Sequence, residues 1–119
     1  MALVVKDLDE SAAFYTEALR LREIPNPMGG TDIRWFDIGG DQRIRMQAGD
    51  FDATRVHKGT HIAPTALNFD ETPGYLRSRN AAFSDFEGTP GAVNVRPDGM
   101  PAIFPQDPNG YWIEINDFG

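Results

Sequence analysis

"FPQDPNGYWIEI", residues Phe104–Ile115, decides how this chain is read. Pro108 supplies a preset φ for the first central position of a turn, and Gly110 supplies positive φ where a side chain would be strained. Beyond the turn, Tyr111, Ile113 and Ile115 alternate with Trp112, Glu114 and Asn116. A period of two is that of a strand with two unlike faces. The run therefore reads as strand, turn, strand. Glu114 is one carboxylate planted inside the second strand, either facing solvent or belonging to a site.

Working outward, the other end of the chain opens with Ala2–Val5, a short apolar run suited to a buried strand. Asp7 with Glu10 three residues on resembles a capping box that starts a helix. Leu8, Ala12, Tyr15 and Leu19, flanked by Phe14, Ala18 and Leu21, give an apolar face to about Leu21. Pro25, Pro27, Gly29 and Gly30 punctuate the next connection, and Gly39-Gly40-Asp41 marks a tight turn between two strands. The first of these spans Asp32 to Ile38. In the second, Gln42 to Gln47, Ile44 and Met46 share one face while Arg43, Arg45 and Gln47 share the other. Thr65 to Phe69 is a further strand, and Thr72-Pro73 starts a second helix with Pro at its first position. A Gly- and Pro-rich stretch, Gly88 to Asp98, then leads into a strand from Met100 to Pro105.

The two halves repeat. Ala2, Leu3 and Val5 correspond to Ala66, Leu67 and Phe69 at an offset of 64, and Trp35, Ile44 and Arg45 correspond to Phe104, Ile113 and Glu114 at an offset of 69. The shared order predicts an α+β fold of two βαβββ modules forming a cup-shaped, half-barrel mixed β-sheet with helices outside. The expected organisation is one domain, 1–119, with module one over about 1–48, a linker at 49–59 and module two over about 60–119.

Composition narrows the function. Eighteen acidic against eleven basic side chains give a net charge of −7, which repels phosphate backbones and argues against nucleic acid. No apolar run approaches the roughly 20 residues that cross a bilayer, so no membrane partner is expected. No basic stretch precedes an apolar one at the start, and cytoplasmic residence is expected. The absence of cysteine excludes disulfides, zinc–thiolate sites and cysteine nucleophiles.

The opening LVVKDLDESAAFYTEALRL and the closing FPQDPNGYWIEI resemble the vicinal oxygen chelate superfamily of glyoxalases, extradiol dioxygenases and fosfomycin- and bleomycin-resistance proteins. In metal-dependent members, the resemblance implies, side chains from the first and last strand of each module meet in the cup around a divalent cation. Glu114 matches the last of these slots. The equivalent position of the first module is Arg45, whose guanidinium offers no lone pair. The first-strand slot of the second module falls on Pro64, and that of the first module lies one residue before Met1. His61 stands three residues before Pro64, so strand parity points it to the opposite face unless a bulge re-aims it. His57 and His61 read as loop or surface histidines.

If the slots converge, Arg45 faces Glu114 and neutralises it, with Trp35, Arg43, Gln47, Asn68, Phe104 and Trp112 completing a ligand-binding cup of aromatic and polar groups. The expectation is a small-molecule-binding protein with a degenerate, metal-free site and no cofactor, working as a homodimer. The alternative is a metal-dependent lyase, isomerase or dioxygenase using Glu114 with a histidine upstream of Met1 or with His61. In either case Glu114 is the catalytic candidate, and the arginines favour an anionic or carbonyl-rich ligand.

Overall fold

A computed structural model describes residues 1–51, 56–59, 61–65 and 68–117. Strand β1, Ala2–Val5, leads into helix α1, Leu8–Ala13, which widens into a π-helical segment, Phe14–Ala18. Asp7 is the N-cap, its carboxylate accepting from the Glu10 amide at 3.0 Å. That satisfies one of the amides a helix start leaves unpaired. The helix stops short of the expected Leu21 because Arg20 turns to a φ of 56°, and Leu21 begins the exit from it.

Strands β2, Arg22–Ile24, β3, Ile33–Gly39, and β4, Gln42–Ala48, follow. They form one sheet in the order β1-β4-β3-β2, with β1 parallel to β4. Ile44 and Met46 are fully buried and Arg43, Arg45 and Gln47 exposed, the alternation their spacing predicts.

The second half repeats this order with shorter pieces: β5, His61–Ile62; α2, Thr72–Ser78; β6, Phe83–Ser84; β7, Asn94–Val95; β8, Pro101–Pro105; β9, Trp112–Ile113; and β10, Ile115–Asn116. β5 pairs parallel with β9, as β1 does with β4, while β10, β6 and β7 each pair antiparallel with β8. β9 and β10 are two pieces of one strand, interrupted at Glu114. The fold is thus α+β with open sheets. The expected strand from Thr65 to Phe69 has its middle, Ala66 and Leu67, outside the described residues, and Asn94–Val95 adds pairing inside the Gly- and Pro-rich stretch.

One core serves both halves. Tyr15 and Leu19 from the first helical segment pack with Phe36, Ile44 and Met46, and with Leu76, Ile103, Ile113 and Ile115 of the second half. At its edge sits a buried polar hub built on Asp107. Tyr15 donates its hydroxyl to Asp107 Oδ2 at 2.8 Å, and the Asn109 and Tyr111 amides donate to Oδ1 at 2.8 and 2.9 Å. Asn109 in turn donates to Ser11 Oγ and accepts from the Lys6 amide, while the Tyr111 hydroxyl donates to the Val4 carbonyl. The closing turn is therefore bolted to the first strand and helix. Burial raises the Asp107 carboxyl above its ordinary value, outweighing three sets of donors that pull it down.

Asp107→Ala leaves buried donors without acceptors and should cost about 3 kcal/mol or more. Asp107→Asn keeps an acceptor for the two amides and should cost less. Because the folded protein holds the Asp107 proton longer than the unfolded chain, the wild type loses stability relative to Asp107→Asn as pH rises from the ordinary carboxylate value to the raised one. Urea unfolding of the three proteins across the acidic range checks both; equal losses for Ala and Asn would contradict the hub.

Candidate functional site

Backbone hydrogen bonds fix which residues of the two halves are equivalent. Arg45 donates its amide to the Met1 carbonyl at 2.9 Å, and Glu114 donates its amide to the Ile62 carbonyl at 2.7 Å. Arg45 and Glu114 thus occupy the same place, as the offset of 69 requires. Met1 and Ile62 are also equivalent, so the first strands correspond at an offset of 62 − 1 = 61, not 64. The residue matching the slot one before Met1 is His61. Pro64 matches Leu3, and both are buried against the core. His61, expected from parity to face away, therefore lies on the slot face, and no bulge is needed to aim it.

His61 lies directly beside Trp112 in the ladder, and Glu114, two residues on, shares that face. The His61 Nε2 is 3.4 Å from Glu114 Oε1. At the other side of the ring, Nδ1 is 3.0 Å from the Lys58 carbonyl. A carbonyl can only accept, so Nδ1 carries a proton, and Nε2 is the nitrogen that faces a carboxylate oxygen. An imidazole nitrogen and a carboxylate oxygen this close are held together by something positive between them, either a proton on Nε2 or a cation. The second oxygen, Oε2, is occupied: Asn116 Nδ2 donates to it and Arg96 Nη1 stands at 3.6 Å. Glu114 is only 14% exposed through its side chain, so these partners replace much of its water.

The walls of the site are aromatic. Phe104 meets His61 edge to face with ring centroids 5.7 Å apart, and Phe86 packs on Phe104 at 5.4 Å. Lys58 lays its ammonium 4.3 Å from the centroid of the Trp112 ring and donates to Ser84 Oγ and the Asp85 carbonyl. Desolvation lowers the Lys58 ammonium from its ordinary value, against a smaller opposing pull from Asp85. One cavity of about 330 Å³ opens along Phe83, Pro90, Phe104, Gln106 and Trp112. Another, of about 320 Å³, brings Met1, Gln42 and Arg43 of the first half beside His61 and Ile62.

Of the residues singled out from sequence, His61, Phe104, Trp112 and Glu114 come together, with Arg43 across the second cavity. Arg45 does not reach Glu114 among the described contacts. It lies exposed over Trp35, 5.9 Å from that ring's centroid, on the same strand face as Gln47. The expected counter-charge for Glu114 is supplied by Arg96 instead. Asn68 sits at the entry to α2, where its side chain accepts from the Asp70 amide and its carbonyl from Thr72, away from this group. His57 is exposed and accepts from the Gly59 amide. Sequence reasoning missed Lys58, Arg96 and Asn116. Arg96 lies in a stretch without periodicity, and Lys58 acts partly through its backbone, which no side-chain pattern reports.

Imidazole nitrogen and carboxylate oxygen are donors that divalent transition metals accept. The Lys58 carbonyl also fixes the ring as metal-binding histidines require. The pair fits one edge of a coordination shell. Among the described residues no group of three or more His, Asp or Glu converges, so further donors are not supplied there.

The sequence model of the glyoxalase/bleomycin resistance protein/dioxygenase superfamily matches residues 1–115. Among solved structures, the oxidase ChaP-H1 is 25% identical with a TM-score of 0.77, over 100% of this chain and 93% of its own. A glyoxalase-family structure from Bacillus anthracis is 27% identical with a TM-score of 0.70, over 97% and 87%. The fosfomycin resistance protein FosX of Listeria monocytogenes, 21% identical with a TM-score of 0.70 over 98% and 88%, shares the fold. No curated protein sequence matches the chain significantly.

A double-mutant cycle tests the geometry. His61→Ala combined with Glu114→Gln should show a coupling of about 0.5 kcal/mol or more in urea unfolding, and Arg45→Ala with Glu114→Gln none beyond error. Coupling at Arg45 and none at His61 would restore the sequence-based pairing.

Proposed function

The chain belongs to the glyoxalase/bleomycin resistance protein/dioxygenase superfamily, and from that premise we propose that it is an enzyme acting on a small organic molecule with a divalent cation held by His61 and Glu114. The observation that carries this reading is His61 Nε2 standing 3.4 Å from a Glu114 carboxylate oxygen with the opposite nitrogen pinned by a backbone carbonyl. ChaP-H1, similar over the whole of this chain and named an oxidase, supports an enzymatic rather than a purely sequestering role. This shifts the weight from the metal-free binder to the metal-dependent alternative.

His61 and Glu114 would hold the cation, which when bound acts as a Lewis acid on substrate oxygens. The chain's own residues do the rest. Phe104 and Trp112 give the substrate an apolar wall that excludes water. Arg43, across the cavity from His61, attracts an anionic or carbonyl-rich end. Arg96 and Asn116 hold Glu114 Oε2, leaving Oε1 turned toward His61. A homodimer, in which a second copy contributes donors and closes the site, is part of the proposal, as is cytoplasmic residence.

A second reading, a metal-free small-molecule binder, draws on Arg96, whose guanidinium already offers Glu114 a counter-charge. Calorimetric titration of chelator-treated protein with Mn²⁺ and Ni²⁺ separates the two. Saturable binding weakened about tenfold or more by either His61→Ala or Glu114→Gln is expected. Binding unaltered by both substitutions, or no binding at all, favours the metal-free reading.

A further inference from the structure

We propose that the cavity along Phe14, Ala82, Phe104 and Trp112 is a binding site of its own, built for an uncharged, flat aromatic ligand of about two fused rings. It shares Phe104 and Trp112 with the reading above, but neither His61 nor Glu114 lines it, and it stands without the cation.

The lining says what the cavity excludes. Eighteen acidic and eleven basic side chains are spread over the 119 residues, yet among the described residues no charged one lines this space. Its two polar side chains have already given their donors to the protein. Ser84 Oγ donates to the Asp85 carbonyl at 2.8 Å, and Gln106 Nε2 to the Gly110 carbonyl at 3.0 Å. The Lys58 ammonium beside Ser84 is likewise held, by Ser84 Oγ and the Asp85 carbonyl. A charged ligand would lose its water here and gain no partner, which is costly.

Shape and size say what the cavity takes. Phe14, the first residue of the π-helical segment, stands edge to face with Tyr15, their ring centroids 5.5 Å apart. Tyr15 is itself fixed by Asp107, so the Phe14 ring forms a rigid wall. Phe14 and Trp112 are only half-buried, and the ring surface they leave open favours offset-stacked or edge-on aromatic partners. Ala81, Ala82 and Gly88 supply the room between these walls by being small. Gly88 holds a φ of 100° in a turn closed by its amide on the Asp85 carbonyl at 3.2 Å. The Thr89 amide, 2.8 Å from the Asp85 carboxylate, closes the same turn, so the rim is formed before a ligand arrives. The volume, about 330 Å³, is about twice that of an apolar cavity able to take up one benzene.

Calorimetric titration with 2-naphthol, uncharged at neutral pH, tests the site in chelator-treated protein. Saturable binding is expected in the wild type and equally in His61→Ala. 2-Naphthoate, which adds a charge, and phenol, which removes a ring, should each bind about tenfold more weakly or worse. Decahydro-2-naphthol, of similar size but not flat, should also bind more weakly. Ala82→Trp, at an exposed lining position, should weaken 2-naphthol binding about tenfold while keeping a native amide spectrum. Nuclear Overhauser contacts from the bound ring to Phe14 and Trp112 should place the ligand independently of that variant. No saturable binding, equal binding of 2-naphthoate, contacts elsewhere, or loss of binding in His61→Ala overturns the inference. If 2-naphthol binds as expected but Mn²⁺ does not, this site stands and the proposed function falls; uptake of Mn²⁺ without 2-naphthol does the reverse.

Discussion

The fold depends on the buried carboxylate of Asp107. One side chain accepts from the first helix through Tyr15 and from its own turn through Asn109 and Tyr111. An unpaired carboxylate at that depth would be costly, and these donors make the closing turn a fixed corner instead. Two neighbours, Asn109 and Tyr111, extend the corner to Ser11, Lys6 and Val4, so the last hairpin and the first strand and helix are set in one frame. Glu114 stands three residues beyond Tyr111 on a strand with little pairing of its own. Its direction is inherited from this corner at one end and from the Ile62 carbonyl at the other.

That second constraint brings His61 into the site. The short parallel pairing of His61–Ile62 with Trp112–Ile113 aligns imidazole and carboxylate on one face. The Lys58 carbonyl holds the other ring nitrogen at 3.0 Å. The result is a ring nitrogen 3.4 Å from a carboxylate oxygen, an approach that a proton or a cation between them stabilises. Arg96 and Asn116 hold the carboxylate from behind, and Phe104, Phe86 and Trp112 limit access of water. Local charge here runs against the acidic whole: Lys58, Arg43 and Arg96 all border the site.

Much of this was legible in the sequence. The alternation at Gln42–Gln47, the Pro-Asn-Gly turn and the Asp7 cap each form as their chemistry dictates, and Glu114 falls where the closing hairpin points. The failure at His61 has a simple cause. The first strands were aligned by apolar likeness, Ala2-Leu3 with Ala66-Leu67, whereas the ladder aligns them by hydrogen bonds three residues earlier. A slip of an odd number of residues reverses every side chain, so a small error in register sent His61 to the wrong face and put Pro64 in its slot. Arg45 was placed correctly in the ladder but wrongly in space, because equivalent positions of two halves need not meet. Arg96 and Lys58 were invisible because loops, not periodic elements, deliver them.

The account's central claim is that His61 and Glu114 together hold a divalent cation. Pulsed electron paramagnetic resonance of the Mn²⁺-loaded protein tests it most directly. Coupling to one directly bound imidazole nitrogen, lost in His61→Ala and present in Arg45→Ala, is the predicted result. A manganese signal without nitrogen coupling, or one indifferent to His61→Ala, would contradict it.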